Sequence, residues 1–433
     1  MTSHHLTRRS MLRGGAGLAG LSALGSAPAL AQASTRLRTY WWGSPDRARR
    51  TNEVARLYST RHPEVTIVGE VGAGSEYWTK LATMMVARNV PDVFQLEPNT
   101  LSDFAQRGAC KDLEPLLPRT FAEAGIASTT LDLCRVDGKL YGVPLGLNSF
   151  SVFYDTTVFT QTGLQPPTPA TTWQQYADLA VELSRTSGRA RYAGSAYGAR
   201  YNYLYDAWLR QRDKGLFTAD GRLGFTVDDA RDWFTYWEDL RRRGGTVGAD
   251  VQTLDQLDIE TNALTTGRCA MSFTFSNQLI GYQLVNQNRL GITMLPSAGA
   301  GAKSGHYYRP ALIWSVAATS ASPEAAADFI AFFVSDPDAG RILGVERGVP
   351  VSPRIREIVM PLLNEVEQAT VNYVNLLADK VSAYPPPPPR GSSEFDRNVM
   401  RRVADEVAFG RVSVADGARK LVDEGNAALA RAR

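Results

Sequence analysis

The chain has 433 residues, with 47 Lys and Arg against 44 Asp and Glu, 4 His and 3 Cys. So even a charge balance gives nucleic acid no basic surface to bind, and widely spaced Cys110, Cys134 and Cys269 make neither a zinc pattern nor a disulfide framework. Those cysteines are expected as buried free thiols, with a Cys110–Cys134 bridge as the alternative.

The first residues read as an address. Arg8 and Arg9 precede an apolar, glycine-rich run from Gly14 to Leu30, and Ala29-Leu30-Ala31 supplies a small-x-small cleavage pattern. This segment, residues 1–31, resembles a twin-arginine export signal cut after Ala31, or alternatively after Ala33. The run is too short and too rich in Gly and Ala for a retained anchor. No cysteine stands at the cut to carry a lipid, so an exported, untethered protein of the periplasm is expected. Without Arg8, Arg9 and Arg13 the remaining 44 basic residues equal the 44 acidic ones. Gly15–Gly20 satisfies G-x-G-x-x-G, but no strand precedes it and no acidic residue follows at the required distance, so it is assigned no role.

About 400 mature residues exceed what one core supports, so two domains are expected. Arg38–Trp42, Val65–Val71 and Val93–Glu97 read as strands. Ser44-Pro45 opens a first helix as N-cap and first-turn proline, and a second helix carries Trp78, Leu81, Ala82 and Met85 at core spacing. A third helix runs from Asn99 to Gly108. This alternation predicts a mostly parallel sheet covered by helices.

Asp137-Gly138 lies between the apolar runs Leu131–Val136 and Leu140–Val143, the dipeptide of a type I′ hairpin. Leu145–Tyr154 then reads as a strand buried on both faces, leaving one domain, crossing a cleft and entering the other. Thr172 and Thr226 open capping boxes ahead of amphipathic helices bearing Trp173 and Trp233, Phe234 and Trp237, all assigned to the core. Arg241–Arg243 closes the latter helix, with Gly244 as a left-handed cap. Cys269–Phe275, Gly291–Leu295 and Ala311–Ala318 are further strands, and Pro323 starts another helix. The remainder is helical apart from Tyr384 and Pro385–Pro389, which must be extended and stiff.

Several stretches together carry a family resemblance: WWGSPDRARR, PDVFQLEPNTLSDFAQRGACKDLEPLL, GKLYGVPLGLNSFSVFYD, TTGRCAMSFTFSNQ, GITMLPSAG and GVPVSP. In this order they resemble the extracellular solute-binding proteins of carbohydrate ABC transporters, the broad group that includes maltose-binding protein. The resemblance implies a two-domain α/β periplasmic-binding-protein fold with hinge crossings and a ligand cleft between the domains. It divides the chain into 34–152 and 293–346 for domain 1 and 155–291 and 350–433 for domain 2, with crossings near 152–155, 291–294 and 346–350. It also implies closure on a sugar, delivery to a membrane permease, a monomer, no cofactor, no metal and no catalysis.

Sugar chemistry selects candidates independently. A pyranose lays C–H faces on aromatic rings and offers hydroxyls to charged or amide groups. Trp41, Trp42, Ser44, Asp46 and Arg47 stand where the first strand meets the first helix, a ligand position in open α/β sheets, and Glu97 ends the third strand. The resemblance places Asn148 where maltose-binding protein has a binding glutamate. It adds Phe275 and Asn277 before a helix and Arg309 where many members have glycines. Trp208, Tyr307 and Arg390 complete the candidates, as walls of the second domain.

Enzymatic readings lack parts. Beyond the signal only His62 and His306 remain, too few for a histidine metal site or a serine–histidine triad. A glycosidase needs two facing carboxylates; Asp92, Glu97 and Asp132 have no spacing that pairs them. A binding protein for a polyamine, iron or an organic anion remains as an alternative.

Overall fold

The computed structural model describes residues 35–432. The expected export signal, its cleavage sites and the Gly15–Gly20 motif therefore lie outside the described residues.

The first lobe begins with strand β1 (Thr35–Trp42), helix α1 (Pro45–Arg61), β2 (Val65–Gly72), α2 (Gly74–Val86), β3 (Val93–Leu96) and α3 (Pro98–Gln106). Ser44 caps α1 by accepting the Arg47 N–H at 3.2 Å, with Pro45 in the first turn, as the sequence requires. The hairpin strands β4 (Arg135–Val136) and β5 (Lys139–Leu140) flank Asp137 and Gly138 at φ 50° and 80°, the two positive values a type I′ turn needs. Its first arm is shorter than predicted, because Ser128–Cys134 coils into helical turns that bury Leu131 and Cys134.

Next come β6 (Val143–Pro144), β7 (Leu147–Asn148) and β8 (Phe150–Asp155), so the single strand expected over 145–154 is broken at Ser149. The second lobe adds β9 (Ala193–Ser195), β10 (Cys269–Phe275) and β11 (Leu290–Thr293). The chain returns through β12 (Arg309–Pro310) and β13 (Ile313–Val316).

Two main sheets result, ordered β2-β1-β3-β13-β6 and β11-β8-β10-β9. Only β2-β1-β3 and β9-β10 are parallel; β13 runs antiparallel to β3 and β6, and β8 antiparallel to β10 and β11. The mostly parallel sheet inferred from alternation is thus mixed. The returning strand arrives from the other lobe, so no local crossover helix fixes its direction.

Each lobe has its own core. One gathers Leu37, Trp41, Phe94, Ile313, Trp314 and Phe333. The other centres on Trp173, Trp208, Trp233 and Trp237, with the ring centroids of Trp173 and Trp208 5.0 Å apart and those of Trp233 and Trp237 5.6 Å apart. The capping boxes at Thr172 and Thr226 form as predicted, and Gly244 takes φ 78°.

Core membership shifts the expected boundaries. Val349, Val351, Val371, Tyr373, Val374 and Leu377 bury in the first core, Val366 and Ala369 pack against the second, and Phe395 is the next residue buried within the second. The Leu147 N–H donates to the Val349 carbonyl and ties that stretch to β7. Cys110, Cys134 and Cys269 are buried free thiols, which excludes the alternative Cys110–Cys134 bridge.

Candidate ligand-binding cleft

Two cavities open between the lobes. The first, about 650 Å³, is walled by Trp42, Asp46, Arg47, Glu97 and Asn277 together with the segment 344–348. Its corner follows from the cap at Ser44, which starts α1 and projects Arg47 sideways. Arg47 Nε donates to Glu346 Oε1 at 2.7 Å and Nη1 to the Trp42 carbonyl at 3.2 Å. Asp46 receives Arg49 and Arg50, each at 2.7 Å, and their hydrogen bonds hold its carboxyl below the usual range. The Trp42 ring is 4.8 Å from Tyr77 and 5.0 Å from Trp78, so much of it is buttressed by protein. Arg347 is buried and donates to Gln95 and Thr51. The charged groups of this cavity pair largely with one another, while Asn277 Oδ1, Glu346 Oε2 and Arg347 Nε are buried without a hydrogen-bond partner.

The second cavity, about 430 Å³, differs in kind. Phe150, Tyr203 and Phe275 form an aromatic floor, with Tyr203 and Phe275 centroids 4.7 Å apart and Phe150 5.2 Å from Phe275. Tyr307 and Tyr384 meet at 5.7 Å, and Pro385, Pro386 and Pro388 extend that side as a stiff wall. Pro98 and Asn99 face it from the first lobe. The Arg309 guanidinium stands 5.1 Å over the Phe275 ring, and that of Arg210 4.7 Å over Tyr307 while bonded to Asp206 at 2.8 Å. Burial pushes the Tyr384 phenol up to about 12 and Tyr307 well above its ordinary value, so both stay protonated donors at neutral pH.

The cavities share three corners. Glu97 lines one, Pro98 and Asn99 the other; Asn277 lines one, Phe275 and Gln278 the other; Ala311 lines one, Arg309 the other. We treat them as two halves of one interlobe cleft, since their linings meet at adjacent or near-adjacent residues. Where they meet, Ser149 N–H donates to Ser276 Oγ at 3.2 Å and Ser276 N–H to the Ser149 carbonyl at 2.9 Å. On either side, Asn148 Oδ1 and Asn277 Oδ1 are buried acceptors with no protein donor. Such atoms cost free energy until a donor arrives, and a ligand hydroxyl is one.

The candidates therefore divide. Trp42, Asp46, Arg47, Glu97 and Asn277 line the first half, and Phe275, Tyr307 and Arg309 the second. Asn148 pairs with Arg309 across β7 and β12. Trp41 is 1% exposed and packs edge-on to Trp314 at 6.4 Å, because β1 lies inside its sheet and buries both faces. Trp208 belongs to the second core, with Arg212 stacked 3.7 Å over it. Arg390 is exposed and outside both linings. The Ser44 hydroxyl is spent on its cap.

Sequence reasoning missed Asn99, Tyr201, Tyr203, Tyr384, Arg397 and Arg401, all lining the second half. Tyr201-Asn202-Tyr203, an aromatic pair opening a helix, was the one local signal available. The others reach the cleft only by tertiary contact.

Two lobes, each with its own mixed sheet and core, enclosing a polar and aromatic cleft and linked by three chain passages, define the architecture of a solute-binding protein. A family model described as bacterial extracellular solute-binding protein matches residues 53–357, and the chain belongs to that family. It resembles the solved extracellular solute-binding protein family 1 of Alicyclobacillus acidocaldarius, with 26% identity, TM-score 0.78, and 92% of this chain and 98% of that one covered. A periplasmic oligogalacturonide binding protein from Yersinia enterocolitica shares the fold at 19% identity and TM-score 0.77, covering 92% of this chain and 100% of that one. Among curated proteins, the sn-glycerol-3-phosphate-binding periplasmic protein of Shigella dysenteriae is 23% identical over 247 residues, 56% of this chain. The chain spans about half the length of the curated relatives it matches, 50% in that case.

Proposed function

We propose that this protein is the periplasmic capture component of a carbohydrate uptake system, exported by the twin-arginine route and delivering its ligand to an ABC permease. The observation that carries this reading is the second half of the cleft. Aromatic faces, protonated phenols, a guanidinium fork and a nearby unpartnered amide oxygen are combined there between two lobes, and a pyranose has a surface for each. Closure follows from the division of contacts. The floor belongs to the second lobe and Asn99 to the first, so a ligand touching both favours the closed arrangement over any open one. The ligands for which two relatives are named, a glycerol phosphate and an oligogalacturonide, are hydroxyl-rich, which supports the class.

The test is a thermal-shift and calorimetric screen of the purified mature protein against mono-, di- and trisaccharides, sugar alcohols and sugar phosphates, with polyamines and organic acids as controls. A saccharide that stabilises the protein and is recovered intact establishes the reading. Stabilisation by the controls alone, or a cleaved sugar, overturns it.

A further inference from the structure

The charge of the second cavity narrows the ligand further. Four guanidinium groups line it, from Arg210, Arg309, Arg397 and Arg401, against two carboxylates, Asp206 and Asp396. Each carboxylate already carries an arginine: Arg210 Nε bonds Asp206 at 2.8 Å, and Arg401 Nη2 bonds Asp396 Oδ2 at 2.7 Å, with Asp396 Oδ1 left as a buried acceptor without a hydrogen-bond partner. Among the described residues, Arg309 and Arg397 form no ion pair within 4.0 Å. The first cavity, by contrast, sets four arginines against four carboxylates. A local surplus of two cations therefore stands in a chain whose overall composition is nearly balanced, 47 basic to 44 acidic.

Placement adds to the count. The Arg309 guanidinium is held over the Phe275 ring at 5.1 Å, where a planar fork stacks on an aromatic face with its N–H edges free to reach a ligand. Unpaired cations in a partly enclosed cleft raise the local potential and favour an anion with charge-assisted, bidentate hydrogen bonds.

We propose that the second cavity takes an anionic carbohydrate, a sugar bearing a carboxylate or phosphate, with Arg309 and Arg397 as the receptors of its charge. This rests on the carbohydrate reading above and adds the charge to it.

The experiment is titration calorimetry on the mature protein with matched ligands: galactose and galacturonate, glucose and glucose 6-phosphate, and digalacturonate, with succinate and inorganic phosphate as charge-only controls. The expected result is an anionic sugar bound at least tenfold tighter than its neutral partner, an advantage that shrinks as salt rises from 50 to 500 mM. The carboxylate and phosphate arms distinguish the two sources of charge. Arg309→Gln with Arg397→Gln should erase the advantage, lowering the affinity for the anionic sugar at least tenfold more than that for its neutral partner. Arg397→Gln alone, at an exposed position, serves should the double variant unfold, and should reduce the advantage severalfold. Neutral sugars binding as tightly as their acids would overturn the charge and leave the carbohydrate reading standing. Succinate or phosphate binding with no sugar of either kind would overturn the carbohydrate reading itself.

Discussion

The two halves of the cleft are built from the same three corners yet are finished differently. In the first, the guanidiniums face carboxylates or amides of the same chain: Arg47 on Glu346, Arg50 on Asp46, Arg347 on Gln95 and Thr51. In the second, rings are half-buried in a cavity and, among the described residues, Arg309 and Arg397 form no ion pair within 4.0 Å. Charges that satisfy one another hold lobes and loops in place, whereas charges left over are available to a ligand. A polar cavity is therefore judged by what its groups still lack rather than by how many it has.

The contrast can be broken in graded ways. The largest effect should come from Arg347→Leu, which removes the buried donor from Gln95 and Thr51 and a cation over the rings of Trp314 and Phe333, at 5.2 and 5.4 Å. Two buried groups left unsatisfied cost about 3 kcal/mol together. Denaturant unfolding should register that loss with ligand affinity changed less than twofold. Lost affinity at full stability would move the binding site to the first half.

A comparable effect is tied to pH. His306 is buried, and its Nε2 accepts the Leu295 N–H at 3.2 Å while Nδ1 lies 3.3 Å from Ser149 Oγ, which assigns the ring proton to Nδ1. A second proton would set N–H against N–H. Burial lowers the pKa to about 4 from the ordinary 6.5. The unfolded chain takes up its proton near 6.5 and the folded chain only near 4, so stability falls as pH drops through that window, by up to about 3 kcal/mol. Unfolding measured at pH 7.5 and 4.5 should show the fall, and His306→Gln should lessen it. An equal fall in the variant would assign the acid sensitivity elsewhere.

Tyr203→Ala opens the floor beside Phe275 and Phe150 and should weaken ligand binding about tenfold, near 1.4 kcal/mol, with a smaller change in stability. The matching change in the first half, Asp46→Asn, is the smallest expected. Its two ion pairs are exposed, so stability and affinity should both stay within the scatter of surface substitutions. An affinity loss at Asp46 exceeding that at Tyr203 would reverse the assignment of the two halves.

Local chemistry made much of the molecule legible. Asp137-Gly138 demanded its turn, Ser44-Pro45 and the boxes at Thr172 and Thr226 fixed where helices start, and β10 was bounded as Cys269–Phe275, because each depends on a few neighbouring residues. Periodicity likewise assigned Trp173, Trp233 and Trp237 to a core. Sequence also placed Trp42, Glu97, Asn277, Phe275, Tyr307 and Arg309 at the cleft.

Tertiary structure decided the rest. Whether Trp41 or Trp42 meets the cleft depends on what covers each face of β1, and Trp208 was claimed by partners 25 or more residues away in sequence. The direction of β13 and the meeting of Asn99, Tyr203, Arg309 and Arg397 come from segments distant in the chain. Spacing along a chain carries the periodicity of a helix or strand and the chemistry of a turn. It holds no record of which distant groups leave a charge unpaired, and that is the property on which the proposed recognition of an anionic sugar rests.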